Sequence, residues 1–416
     1  MYKGLMIILD GLGDRPVIAL NNQTPLQAAN TPVMDKLLAK GSCGLIDPLS
    51  AGFPVDTHTG SAALMGVTRK DLLKLTRGPV EAAGVGVDMR SGDVLLRANF
   101  ATVHDDGETI LDRRAGRITR GTRELAEALQ DIDCGEGIIA CVYAATHHRA
   151  VVRLRGENLS PDISNTDPCH LNDNFKILTC HALDASNTMA HKTAKALNRF
   201  TQISHARLKI HTLNKSARLP ANALLTRGAG LAFNPENLLN RLGLRTAVIS
   251  GERTLHGLAR LLGFEVIENP GFTATADTDL SAKFKAVNEA LEKHDLVYLH
   301  IKATDIFSHS QDAQGKCDYL EVIDKAMEVI AADNLVIAIS ADHSTDSNTG
   351  NHCGDPVPSL LYAPGCRVDS IQHFSETGCS QGGMGRIRAS GLFFSLLDHM
   401  GRLPNYNPYD ATFLDA

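Results

Sequence analysis

Three short stretches of the chain carry the residue types that hold divalent cations. LDGLGD supplies Asp10, TDIFSH supplies Asp305 and His309 four residues apart, and SADHSTDSNTGNHCGDPVP supplies Asp342, His343 and His352. Carboxylate and imidazole ligands together suit hard-to-borderline ions such as Zn2+, Mn2+ or Mg2+. These groups are too many for one tetrahedral ion, so the pattern points to two. A pair of ions about 4 Å apart is a device for phosphoryl transfer, clamping the attacking and leaving oxygens. Taken singly, each Asp reads equally well as a helix cap and each His as a hydrogen-bonded structural residue. The crowding of Asp342, His343 and His352 among tight turns favours the metal reading.

Such a site also wants a hydroxyl nucleophile. GFPVDTHTGSAALMG offers Thr57, Thr59 and Ser61 at a turn that enters an apolar helix. A helix N-terminus there would present free N–H groups to a phosphate. An ordinary Thr or Ser N-cap is the competing explanation. The residues alone leave the choice among the three hydroxyls open.

The elements that must position these groups are short apolar runs that stop abruptly in polar residues. Residues 5–9 run into Asp10, 247–250 into Gly251-Glu252, 296–301 into Lys302 and Asp305, and 335–340 into Asp342-His343; 359–362 stop at a Pro-Gly turn. Continuous hydrophobicity suits strands covered on both faces, as in a parallel sheet. Ligand types at strand ends fit the place where open α/β sheets put their sites. Helical stretches separate the runs: Thr31-Pro32 opens one that ends near Gly41, another begins near Thr278 or Asp279, and a third spans 319–331. Strand–helix alternation at both ends of the chain predicts a doubly wound α/β core. Between about 88 and 221 the texture changes, with β-rich stretches at 95–103 and 150–154, a helix at 124–129 and dense arginines. We read this as a smaller α+β insertion domain (88–221) in a core built from 1–87 and 222–416.

Composition narrows the partners. The chain has 416 residues, 41 basic against 47 acidic, and a net charge of −6. That balance argues against a protein that tracks a nucleic-acid backbone. No window of about 18 uninterrupted apolar residues is present, so no membrane-spanning helix is expected. The N-terminal apolar run covers only residues 4–9 and reads as a buried strand, not a signal peptide. Nine cysteines without a CxxC pair suggest reduced thiols and a cytoplasmic location.

An ordered series of motifs resembles the archaeal-type cofactor-independent phosphoglycerate mutases of the alkaline phosphatase superfamily. It runs through LDGLGDRP, TPLQAANTP, CGLIDP, RGPVEAAGVGVD, ANFATV, DRRAGRI, HHRAVVRLRG, TRGAG, KATDIFSH, ADHST, HCGDPVP and GGMGRI. The resemblance implies an alkaline-phosphatase-like core. It implies that Asp10, Asp342 and His343 hold one metal shared with the nucleophile, and that Asp305, His309 and His352 hold the other. With GFPVDTHTG laid over the family's GVPPGSDTA, Thr57 falls on the nucleophilic serine and becomes both catalytic group and metal ligand. A phospho-threonine intermediate is then implied, formed with two divalent ions (Mn2+, Zn2+, Mg2+ or Co2+) and no organic cofactor. The family's substrate-holding basic residues fall on Arg113, Arg114, Arg117, Arg149 and Arg227, with Lys302 from the core. Arginine forks suit a small anionic phosphorylated or phosphonate substrate. A homo-oligomer is compatible with this pattern.

The chain departs from the family pattern in several places. Thr57 replaces Ser, and His58 follows where Asp is usual. LLKLTRGP lacks the aromatic pair before RGP, Ser308 stands where Gly is common before His309, and Asn351 stands where Asp is common before His352. Threonine is a workable nucleophile in this superfamily, and its extra methyl crowds the attacking oxygen without removing it. The expected activity is phosphoglycerate mutation. The alternatives are hydrolysis of a phosphomonoester, phosphodiester or phosphonate, and a non-catalytic metal-binding scaffold.

Overall fold

In the computed structural model, which describes residues 1–169 and 175–405, the chain divides into two compact units. One comprises Met1–Leu73 with Pro235–Ala416, the other Lys74–Asn234. The second unit is therefore wider than the 88–221 insertion read from the sequence. Its extra residues include the helix Arg77–Gly84 and the strand Ala223–Leu231. That strand pairs along Val94–Val103, so hydrogen bonding ties it to the insertion.

The first unit is built on an eight-stranded sheet. Its order is Glu265–Ile267, Thr246–Ile249, Leu296–Ile301, Lys3–Leu9, Leu335–Ser340, Val357–Tyr362, Gly41–Asp47 and Gly385–Arg388. The first five strands run parallel, and the central ones are buried along their length, as strands covered on both faces are. Val357–Tyr362, an apolar run read as one more strand of a parallel sheet, instead runs antiparallel to both neighbours. An apolar run specifies burial on both faces but carries no sign of direction. Thr57–Leu64 packs against Arg253–Leu261 and Ala389–His399, and Ala313–Ala326 against Pro32–Leu38 and Leu280–Lys293. This is the doubly wound arrangement. Asp279 caps its helix by accepting from the Ala282 amide. Thr31 does not cap its own helix; Asp324 from another helix accepts the Val33 and Met34 amides instead, at 3.0 and 2.8 Å.

The second unit centres on an antiparallel sheet in which Val94–Val103 pairs with Arg149–Arg155 and with Ala223–Leu231. Alternation along Val94–Val103 separates two faces. Leu96, Ala98 and Phe100 pack with Leu197 and Phe200 of the helix Thr188–Lys209. On the opposite face Leu95 packs with Val151 and Ala82, and Arg97 and Asn99 follow Leu95 on that side.

All nine cysteines are unpaired. Among the described residues no helix is long and apolar enough to cross a membrane.

Candidate functional site

The strands Leu296–Ile301, Lys3–Leu9 and Leu335–Ser340 are adjacent and parallel, with Leu9 opposite Ile301 and Ile8 opposite Ser340. Neighbouring strands lie about 4.8 Å apart, so residues that follow their carboxyl ends emerge side by side. Asp10, Asp305 and Asp342 meet there, all fully buried. Asp305 and His309 sit on one short helix, Ala303–His309, and their four-residue spacing puts them on one face. His309 Nε2 lies 3.2 Å from Asp305 Oδ2. His352 comes from the hairpin of Ser344–Asp346 with Asn351–Cys353, where it faces Thr345. Its Nε2 is 3.3 Å from His309 Nε2, and Asp305, His309 and His352 form one ligand-like group.

The other half of the site is deeper. His343 Nε2 lies 3.2 Å from Asp10 Oδ1 and 3.7 Å from Asp342 Oδ2. Two further groups converge here, Asp10 with Asp305 and His343, and Asp10 with His300 and Asp342. His300 was absent from the sequence reading. It is a strand residue, and its only signal was a polar ring inside the otherwise apolar run LVYLHI. Each ring has its second nitrogen engaged: Nδ1 of His309 on the Gly350 carbonyl at 2.7 Å, Nδ1 of His352 on the Val55 carbonyl at 2.8 Å, and Nδ1 of His343 on Thr345 Oγ1 at 3.1 Å. Such contacts fix ring orientation and tautomer.

Two glycines permit the close approach. Gly11 has φ +63, and a side chain there would strike Asp305 and Thr345. A Cβ at Gly60 would overlap the Asp342 carbonyl, so the helix Thr57–Leu64 lies directly on the Asp342 loop. That contact sets Thr57 Oγ1 3.4 Å from His343 Nε2 and 3.3 Å from Lys302 Nζ. Thr59 lies beside His58 Nε2 at 3.4 Å, and the Ser61 hydroxyl is buried without a partner.

Lys302 belongs to this cluster. Its ammonium bonds Asp10 at 3.0 Å and Asp305 at 2.5 Å. Burial would lower the Lys302 pKa, but the two carboxylates outweigh it and hold the ammonium well above its ordinary value. Burial likewise works against ionised Asp10, yet Lys302, His300 and His343 keep it below the usual carboxylate range. Asp342 is pushed up to about 6 by burial and by the charge of Asp10. His343 rises to about 9, because Asp342 and Asp10 overcome its burial. His352 falls to about 4 through burial and the neighbouring His343.

These residues fit divalent cations. Asp342 Oδ2 is buried without a hydrogen-bond partner, and a buried carboxylate oxygen left unmatched in this way has a coordination position to offer. The donor set of carboxylates and imidazoles is the chemistry of Zn2+ or Mn2+ sites.

In the second unit the predicted arginines form a basic cluster. Arg227 stands opposite Arg97 and Arg149 opposite Asn99, which brings them to one sheet face. Arg97 pairs with Glu81 at 3.0 Å. Burial lowers its pKa to about 9, Glu81 opposes the fall, and Arg77, Arg227 and Arg149 add to it. Arg114 is lowered by burial, then by Arg117, Arg113 and Arg149. Arg113 is engaged internally, gripping buried Asp167 through Nε at 2.6 Å and Nη2 at 2.5 Å. Arg117 is exposed. The sequence reading missed Arg77 and Arg97, although both lie in or beside quoted motifs, RGPVEAAGVGVD and ANFATV.

Comparison with known proteins identifies relatives of the whole chain. The family model of 2,3-bisphosphoglycerate-independent phosphoglycerate mutase matches residues 39–214. A protein of that name from Archaeoglobus fulgidus is 39% identical, covering 95% of this chain and 97% of its own. The chain belongs to the 2,3-bisphosphoglycerate-independent phosphoglycerate mutase family. A second member, from Methanoculleus marisnigri, is 38% identical over 97% of this chain and 98% of its own. The solved cofactor-independent phosphoglycerate mutase of Thermoplasma acidophilum superposes with a TM-score of 0.68 at 32% identity, covering 96% of this chain and 100% of that one. A Pyrococcus horikoshii protein reaches a TM-score of 0.82 at 30% identity, with 98% and 99% covered.

Proposed function

We propose that this member of the mutase family interconverts 3- and 2-phosphoglycerate by phosphoryl transfer through Thr57. The observation that carries the reading is the position of Thr57 Oγ1, within 3.4 Å of His343 Nε2 and 3.3 Å of Lys302 Nζ, beside three buried carboxylates. Asp305, His309 and His352 would hold one divalent ion, and Asp10, Asp342 and His343, with Thr57, the other. When bound, such ions supply Lewis-acid stabilisation of the attacking and leaving oxygens.

The chain's own groups do the rest. Lys302 favours the deprotonated Thr57 oxygen by proximity of its ammonium. Thr57 Oγ1 forms a bond to phosphorus as the bond from phosphorus to the glycerate oxygen breaks, and that oxygen takes a proton to become a free hydroxyl. After the glycerate reorients, its other hydroxyl loses a proton and attacks the phospho-threonine, and Thr57 leaves with the charge it began with. Arg114, Arg149 and Arg227 would offer the forked donors that the carboxylate of such a substrate needs, with buried Arg97, paired to Glu81, adding positive charge beside Arg227.

Incubation with 3-phosphoglycerate and Mn2+ tests the reading. Appearance of 2-phosphoglycerate supports the mutase; release of inorganic phosphate alone makes the protein a phosphomonoester hydrolase.

A further inference from the structure

Asp10 is the carboxylate on which the deeper half of the site turns, and its orientation is set from behind. His300 Nε2 lies 2.9 Å from Asp10 Oδ2, and Ser250 Oγ lies 3.1 Å from His300 Nδ1. Ser250, His300 and Asp10 are all buried from solvent. Each comes from the end of a different strand or the turn after it: Thr246–Ile249, Leu296–Ile301 and Lys3–Leu9 stand next to one another in the sheet.

The direction of the chain follows from counting protons. The Glu252 amide donates to Ser250 Oγ at 2.9 Å, so the serine already accepts, and its own proton is free to go to His300 Nδ1. A neutral His300 then carries its proton on Nε2 and donates it to Asp10 Oδ2. Oδ1 lies 3.2 Å from His343 Nε2, while Lys302 Nζ stands 3.0 Å from both Asp10 oxygens.

We propose that Ser250 and His300 are positioning residues that lock the Asp10 carboxylate plane, so that Oδ1 is presented to the metal-binding side of the site. The proposal rests on the reading of Asp10 as a metal ligand. Away from water the His300 bond is not exchanged for one to solvent, and because Lys302 reaches both oxygens it is His300 on one side and His343 on the other that tell Oδ2 from Oδ1. His300 itself does not ligate, because the nitrogen nearest the site is occupied by the proton it gives to Asp10. Partners of this kind, standing behind a ligand, are worth about 10–100-fold in metal affinity.

The test uses the full-length protein and Mn2+ alone, with no substrate. Titration calorimetry on His300→Leu should show Mn2+ affinity weakened about 10–100-fold. His300→Gln, whose amide can still donate to Asp10, should recover most of the loss. Ser250→Ala removes one hydroxyl and should weaken binding by a smaller factor. In metal-free protein labelled with 15N-histidine, the His300 signal, assigned by its loss in the His300→Gln spectrum, should show the Nε2–H tautomer, and Ser250→Ala should move the Nδ1 resonance as its hydrogen-bond donor is lost while Nε2 keeps its proton on Asp10. Unchanged Mn2+ affinity in His300→Leu overturns the proposal, and so does an Nδ1–H tautomer in the wild type, which would make His300 a ligand. If His300→Leu does not fold, Ser250→Ala and the tautomer decide. Failure of the wild type to bind Mn2+ at all overturns the metal reading itself, a result distinct from either of these.

Discussion

Thr57 Oγ1 lies 3.3 Å from the ammonium of Lys302, and the same ammonium bonds Asp10 and Asp305. One cation thus touches the candidate nucleophile and two of the carboxylates that surround it. The sequence reading grouped Lys302 with the arginines that grip substrate. That reading already drew Lys302 from the core, and the structure sets its ammonium among Asp10, Asp305 and Thr57.

If Thr57 is the attacking group, Thr57→Ala should lower kcat by at least about a thousandfold while metal content stays near that of the wild type. Thr57→Ser keeps the oxygen and should retain turnover within about tenfold. Mutase assays paired with elemental analysis decide. Full activity in Thr57→Ala would move the role to Thr59 or Ser61.

Removing the ammonium leaves two buried carboxylates facing each other. Lys302→Met should destabilise metal-free protein by about 3 kcal/mol, the usual cost of breaking a buried pair from one side. Saturating Mn2+ should recover much of the loss, since ligand binding to the folded state adds stability. Urea melts with and without Mn2+ measure both effects; equal metal-free midpoints for variant and wild type would contradict the charge-balancing role.

Gly60 is the contact between the Thr57 helix and the Asp342 backbone. Gly60→Ala forces the two apart, because the added methyl would overlap the Asp342 carbonyl. A displacement of about 1 Å at a reacting group costs about a hundredfold. We expect kcat to fall by about that factor, with the far-ultraviolet circular dichroism unchanged. A kcat near wild type would show that the helix can yield without moving Thr57.

Arg113 and Arg114 are neighbours with different tasks. Arg113→Ala strips buried Asp167 of its bidentate partner and should cost about 3 kcal/mol of stability. Arg114→Ala should leave stability unchanged within about 0.5 kcal/mol and raise KM about tenfold. Thermal melts and steady-state kinetics separate the two, and the reverse pattern would exchange their roles.

His148 carries a pH dependence. Burial, then Arg149, Arg114 and Arg97, lower its pKa from 6.5 to about 4. The unfolded chain therefore binds a proton between those values that the folded chain refuses. Its contribution is present above pH 6.5 and is lost as pH falls toward 4. His148→Gln should flatten the decline of melting temperature across that window. An unaltered slope would place the acid sensitivity elsewhere.

Much of this protein was legible in the chain itself. Apolar runs ending in Asp10, in Lys302 and Asp305, and in Asp342-His343 announced both the parallel strands and the groups at their ends, because burial on two faces disfavours polar residues that lack a partner until the strand is over. The i, i+4 spacing of Asp305 and His309 needed only helix geometry. Other features depended on partners distant in sequence. The antiparallel course of Val357–Tyr362, the capping of one helix by Asp324 of another, and the meeting of Arg97, Arg149 and Arg227 all follow from strand order and register. His300 shows the difference most clearly: within its strand it is one polar ring among apolar residues, and only the pairing of that strand beside Lys3–Leu9 brings it onto Asp10. Residue type sets which chemistry is available. Tertiary register decides which atoms come within reach, because hydrogen bonding and metal coordination act over about 2–3 Å while the chain brings together groups hundreds of residues apart.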